Sequence, residues 1–245
     1  MITVRDVLSV AGEPVSLEIE VERRIVTFID PPVEGAAVEV VGVGTALTDA
    51  RGLASVPLGT PAAGTHRFRV RGPGGEEAEA LVCVSGRDHP VFITDIDGTI
   101  ADVSSLGFIL RRGEGESVRP MEGAPAALRE IARRMTVLYL TARDHVFISR
   151  TKGWLAANGF PEGPLYARKV RFWSATPRNH KRARLAELRP RFSDLRWGVG
   201  DLRWDAAAYA AHGIPAILLS PRELPGLPPG TLCLPSWRAI LDVTK

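Results

Sequence analysis

Only two cysteines, Cys83 and Cys233, occur among the 245 residues. They lie far apart and match no metal-binding spacing. A disulfide scaffold is therefore excluded, and a reducing compartment is the simplest reading. No apolar run reaches the roughly 18 residues that a membrane-spanning helix needs. The start, Met1-Ile2-Thr3-Val4-Arg5-Asp6, lacks the basic region and apolar stretch of a secretion signal. The expected location is the cytoplasm, at most peripheral to a membrane. The five histidines show no ligand spacing, and no Ser-His-Asp arrangement can be assembled. Gly42-Val43-Gly44-Thr45 lacks the lysine of a phosphate loop and reads as a turn.

What is present is ordinary in bulk and uneven in distribution. A composition 45% hydrophobic and 24% charged suits a globular protein of one or two domains. The net charge of +3 conceals a division. Residues 1–88 carry eight Arg against 13 Asp and Glu, net −5, and residues 89–245 carry 23 basic against 15 acidic residues, net +8. The basic part favours anionic partners: phosphates, nucleic acid or an anionic membrane surface.

Residues 1–88 read as an all-β accessory domain. Residues 15–22 alternate apolar and polar, as a half-buried strand does. Further strands are expected at 24–29, 37–41, 53–58, 65–71 and 78–84, separated by Pro- and Gly-rich turns. Residues 35–70 resemble immunoglobulin-like or prealbumin-like sandwich modules. After the linker at 85–90 the pattern changes. Buried strands are expected at 91–94, 136–140, 195–199 and 215–219. Helices are expected at 122–134, 144–158, 180–188 and 204–212. This alternation predicts an α/β domain over 89–245, with a doubly wound parallel sheet.

The sharpest chemical signal is Asp95-Ile96-Asp97-Gly98-Thr99, directly after a buried strand, where parallel sheets build their sites. Two carboxylates so close favour a divalent cation, and hard oxygen ligands suit Mg²⁺. Asp95 could then attack phosphorus to give an aspartyl-phosphate. Asp97 would protonate the leaving oxygen and afterwards activate water. Gly98 permits the tight turn.

The pattern resembles the haloacid dehalogenase-type phosphatases, which carry four motifs in order on a doubly wound fold. The resemblance implies Asp95 as nucleophile and Asp97 as acid and base. Thr141, in Leu138-Tyr139-Leu140-Thr141-Ala142-Arg143, is the second motif. Its hydroxyl and the neighbouring backbone at Ala142 would hold phosphoryl oxygens. Lys181 is the third motif, neutralising the nucleophile and the phosphoryl group. Asp201 and Asp205 are the fourth: with Asp95 and Asp97 they would form the metal site, Asp205 holding a metal-bound water. Locally, residues 95–110, 138–143 and 154–165 resemble the catalytic domain of the lipin-type Mg²⁺-dependent phosphatidate phosphatases, with Asp201 where the lipins commonly carry Asn.

Only 42 positions separate Thr99 from Thr141, and 40 separate Thr141 from Lys181. Neither interval holds a cap domain. An open site suits a substrate that covers it, and a lipid phosphate at a membrane surface and another phosphomonoester are equal expectations. A polynucleotide end is a weaker alternative. A non-catalytic module that binds anions or lipid is another.

Each residue also has a plainer reading. Asp95 and Asp97 could cap a turn, Thr141 or Asp205 a helix. Arg143 could grip phosphate or pair with a surface carboxylate. Trp154 reads as core. Residues 168–191 hold nine basic residues against Glu187 alone, and such a run is often a solvated face. Phe172 and Trp173 within it suit either an interface or a core. Lysine is scarce, however, with four in the chain, and Lys181 opens a helix in the right order. Lys169 is the reserve candidate.

Overall fold

The computed structural model describes residues 1–23, 31–103, 118–169 and 176–245. The expected strand at 24–29 lies outside them, as do residues 104–110 of the lipin-like stretch and Arg171, Phe172 and Trp173. The chain forms two compact units, Met1–Arg87 and Asp88–Lys245.

The first unit is all β. Strands β1 (Ile2–Val4), β3 (Val15–Val21) and β6 (Leu53–Gly59) form a three-stranded antiparallel sheet in the order β1-β3-β6. Strands β2 (Val7–Val10), β4 (Ala37–Val40), β5 (Gly44–Leu47), β7 (Gly64–Arg71) and β8 (Glu77–Ser85) form a second sheet, ordered β2-β8-β7-β4-β5. Leu17 and Ile19 of the first sheet share one core with Val38, Val40, Val70 and Val82 of the second. The alternation along the strands builds this core, each strand turning one face inward. Gly44 and Thr45 do not form a turn: the tight turn is confined to residues 41–43, and Gly44 opens β5, paired antiparallel with β4.

The second unit carries a six-stranded parallel sheet. Its strands are β9 (Val91–Thr94), β10 (Thr136–Asp144), β11 (Leu165–Arg168), β12 (Leu195–Gly200), β13 (Ala216–Leu219) and β14 (Leu232–Leu234), in the order β11-β10-β9-β12-β13-β14. Every residue of β9 is buried, which explains its unbroken apolar text. The helices are α1 (Ala124–Ile131), α2 (Ile148–Ala157), α3 (Pro177–Leu188), α4 (Arg203–Ala210) and α5 (Trp237–Val243). The expected helix at 144–158 starts later. Asp144 still belongs to β10, and its side chain caps a short 3₁₀ turn at His145–Phe147. Helix α3 starts earlier than expected because Thr176 accepts a hydrogen bond from the Asn179 N–H and Pro177 occupies the first turn.

Strand β14 and helix α5 follow a proline-rich loop and have no strong periodicity in the sequence. Helix α5 nevertheless reaches the motif loop after β9. The buried Trp237 donates from Nε1 to the Thr99 carbonyl at 2.8 Å. Trp237→Phe removes this donor and part of the buried ring, leaving a carbonyl unpaired and a small cavity. It is expected to lower the unfolding free energy by about 1–3 kcal/mol. Urea denaturation measures this, and an unchanged stability would contradict the clamp.

Candidate active site

The sheet order reverses at β9 and β12. Connections lead outward from β9 to one side and from β12 to the other, leaving a crevice at the carboxyl ends of this pair. Both acidic motifs emerge there. Asp95 and Asp97 follow β9, Asp201 follows β12, and Asp205 stands in the first turn of α4. The Asp95 N–H donates to the Val199 carbonyl of β12 at 2.9 Å, which ties the two strand ends together.

Glycine makes the approach possible. Gly98 has φ +73°, and a Cβ there would collide with the Asp201 carboxylate. A Cβ at Gly200 would lie 2.6 Å from that of Asp205. Both positions therefore exclude side chains.

Lys181 enters from α3. Its ammonium has no exposed surface and lies 2.8 Å from Asp95 Oδ2 and 2.6 Å from Asp205 Oδ1. The Trp204 ring lies 4.7 Å from it. The other Asp205 oxygen accepts from the Leu202 N–H at 3.2 Å, so Asp205 is both a helix cap and a lysine partner. Thr99 donates to Asp201 at 3.5 Å. Lys169, the reserve candidate, is half-buried, and it is Lys181 that meets Asp95 and Asp205.

Asp95, Asp201 and Asp205 each offer an oxygen within 4.8 Å of the others. Burial pushes the Asp95 carboxyl up to about 7; the Lys181 charge opposes this and the Asp205 charge adds to it. Burial, followed by repulsion from Asp205, pushes Asp201 up to about 6. Burial also works against the Lys181 charge, but Asp95 and Asp205 outweigh it and hold its pKa above the ordinary lysine value. Asp95 Oδ1 is buried with no hydrogen-bond partner among the described residues. Three carboxylates against one ammonium, with one buried Asp95 oxygen unpaired among the described residues, fit a hard divalent cation.

Asp97 stands apart from these three. Arg143, 1% exposed, donates from Nε to both Asp97 oxygens at 3.0 and 3.1 Å, and from Nη2 to Oδ1 at 2.6 Å. Of the two readings of Arg143, pairing with a carboxylate is the one found, but the partner is buried Asp97 rather than a surface group. The guanidinium thus holds the Asp97 carboxylate, while Asp95, Asp201 and Asp205 are the described site carboxylates whose oxygens come together. Thr141 is fully buried within β10, three residues before its end, and its hydroxyl accepts from the Arg143 N–H at 3.1 Å. Ala142 follows it, half-buried. Trp154 packs against the core, as its sequence reading held, and also lies 5.9 Å from the Arg143 guanidinium.

No protein-family model and no curated protein matches the chain. Among solved structures it is similar to D,D-heptose 1,7-bisphosphate phosphatase from B. bronchiseptica, complexed with magnesium and phosphate. The identity is 17% and the TM-score 0.46, over 63% of this chain and 97% of that one. It is similar to a haloacid dehalogenase-like hydrolase from Streptococcus pneumoniae at 12% identity and TM-score 0.47, over 64% of this chain and 98% of that one. It is also similar to a chain of the Pnkp1/Rnl/Hen1 RNA repair complex at 15% identity and TM-score 0.43. That match covers 53% of this chain and 42% of the other, less than half its length.

The raised carboxyl pKa values set a pH dependence. An unfolded Asp loses its proton near pH 4, whereas folded Asp95 keeps its proton up to about 7. The folded state then binds more protons, so its stability falls as pH rises through the folded value and the loss is complete above it. Burial holds folded His180 down to about 3, so it opposes the carboxylates below about pH 6.5, one proton against two. Asp95 and Asp201 are therefore expected to lower the melting temperature of the metal-free protein as pH rises from about 4 to about 7, with little further change above. Added Mg²⁺ should raise it more at the upper end. A flat metal-free profile, followed by scanning calorimetry, would contradict the buried carboxylate cluster.

Proposed function

We propose that this protein is a haloacid dehalogenase-type phosphatase, hydrolysing phosphomonoesters with Mg²⁺ through a phosphorylated Asp95. One observation carries the reading: a buried carboxylate at a strand end has one oxygen on a buried lysine and the other without a partner among the described residues, beside Asp201 and Asp205. Asp95 and Asp201 would hold the cation, with Asp205 behind them. The cation would supply charge compensation for the phosphoryl oxygens. Lys181 keeps Asp95 in place and neutralises part of the charge that accumulates around it. Asp95 attacks phosphorus as the bond to the leaving oxygen breaks, and Asp97 gives that oxygen a proton. Water then attacks the phosphorylated Asp95, its proton passing to Asp97, and both carboxyl groups return to their starting states. Thr141 and the backbone at Ala142, on the neighbouring strand β10, would hold phosphoryl oxygens.

The substrate reading favours a phosphomonoester with an apolar portion, phosphatidate or a similar lipid phosphate. Val146 and Leu202, 41% and 43% exposed, stand in the connections leaving β10 and β12, the two neighbours of β9. Exposed apolar side chains beside a charged crevice suit an amphiphile. Arg178 and Arg182 are exposed on α3 and add attraction to an anionic surface. No helix among the described residues is long and apolar enough to cross a membrane.

The test is Mg²⁺-dependent phosphate release from phosphatidate in mixed micelles, soluble phosphomonoesters and 3′-phosphate oligonucleotides. Asp95→Asn is expected to lower the rate by roughly three orders of magnitude or more. Persistent turnover by that variant would overturn the nucleophile. Preference for oligonucleotides, with steep salt dependence, would move the reading to a polynucleotide end phosphatase. Liposome binding without turnover of any ester would favour a binding module.

A further inference from the structure

The Arg143–Asp97 pair connects one side of the site to the body of the domain. Among the described residues the guanidinium donates two hydrogen bonds to Asp97 Oδ1 and one to Oδ2. On its far side the guanidinium donates from Nη1 to Thr151 Oγ1 of α2 at 3.2 Å. Thr151 is 1% exposed. Trp154, one turn further along α2, flanks the same guanidinium, and its own Nε1–H is anchored on the Val118 carbonyl at 2.8 Å. The arginine is thus held by a helix on one side and grips a carboxylate on the other. A planar fork fastened at both ends fixes the direction of its partner.

We propose that Arg143 is a positioning residue: it acts on the reaction by aiming the Asp97 carboxyl group, and not by gripping the phosphoryl group. The inference rests on the phosphatase reading above. Proton transfer needs the donor within about 2.6–3.2 Å of the leaving oxygen, so an unaimed Asp97 transfers its proton poorly. The consequence depends on the leaving group. An alkoxide leaves only as it is protonated, whereas a nitrophenolate is stable enough to leave without the proton. Damage confined to the aim of Asp97 therefore slows alkyl esters and largely spares aryl ones. Loss of a phosphate ligand would instead weaken binding of both.

The experiment uses the full chain with Mg²⁺ and two soluble substrates, p-nitrophenyl phosphate and glycerol phosphate. Arg143→Met is expected to lower kcat for the alkyl ester by about tenfold or more, and for the aryl ester by less than about threefold. KM and inhibition by inorganic phosphate should stay near the wild-type values. Asp97→Asn should show the same selectivity, and adding Arg143→Met to it should cost little more. If Arg143→Met fails to fold by circular dichroism, Thr151→Val decides. It loosens the guanidinium from behind and should give the same selectivity at about threefold. Equal losses on the two esters, unchanged kcat, or a KM and phosphate inhibition constant raised tenfold would each overturn the positioning role while leaving the phosphatase reading intact. A wild-type protein inactive on both esters, and on the panel above, would overturn that reading and this role together.

Discussion

Lys181 is an ammonium without exposed surface, and three segments far apart in sequence converge on it. Helix α3 supplies it, the end of β9 supplies Asp95 at 2.8 Å, and α4 supplies Asp205 at 2.6 Å. Removing one partner of a buried ion pair strands the other charge, at a cost of about 3–5 kcal/mol. The arrangement therefore requires all three elements together. It also leaves an imbalance, because Asp201 brings a third carboxylate to the same crevice. One ammonium does not neutralise three carboxylates, so burial drives the pKa values of Asp95 and Asp201 upward. The excess negative charge that strains the metal-free site is what would attract a divalent cation and then a phosphate.

Such crowding needs backbone that can come close. Gly98 lets the motif loop turn beneath Asp201, and Gly200 lets the first turn of α4 rest on the end of β12. Gly198 does the same further down, where any side chain would collide with the Tyr209 ring. Tyr209 answers by donating to the Val199 carbonyl at 3.2 Å. On the opposite flank, Trp237 holds the Thr99 carbonyl from α5. The carboxylates of the crevice thus stand on loops whose backbone is pinned from two helices. Such preorganisation is what electrostatic stabilisation of a transition state requires.

Much of this was legible in the residue order. The unbroken apolar run of β9 announced a central strand, and the carboxylates directly after it announced a site at its end. Lysine scarcity singled out Lys181. The partners of Arg143 were not legible. Asp97 lies 46 residues away and Thr151 eight, on a separate helix, and an arginine beside a threonine reads equally well as a phosphate ligand. Trp237 meets Thr99 across 138 residues, from a short helix behind a proline-rich loop that gave no periodic signal. Strand β5 was hidden because Gly44 and Thr45 carry turn chemistry, while pairing with β4 decides their conformation.

The sequence by itself determined the alternation of strands and helices, the all-β character of the first unit and the identity of the acidic and lysine motifs. These follow from periodicity and chain order, which are local properties. Only the tertiary structure decided which charges meet. It put Lys181 between Asp95 and Asp205, turned Asp97 toward Arg143 and left Asp95 Oδ1 without a partner among the described residues. Ion pairing depends on distance and burial rather than on neighbours in the chain. For that reason a row of motifs names the participants, and the folded crevice assigns their partners.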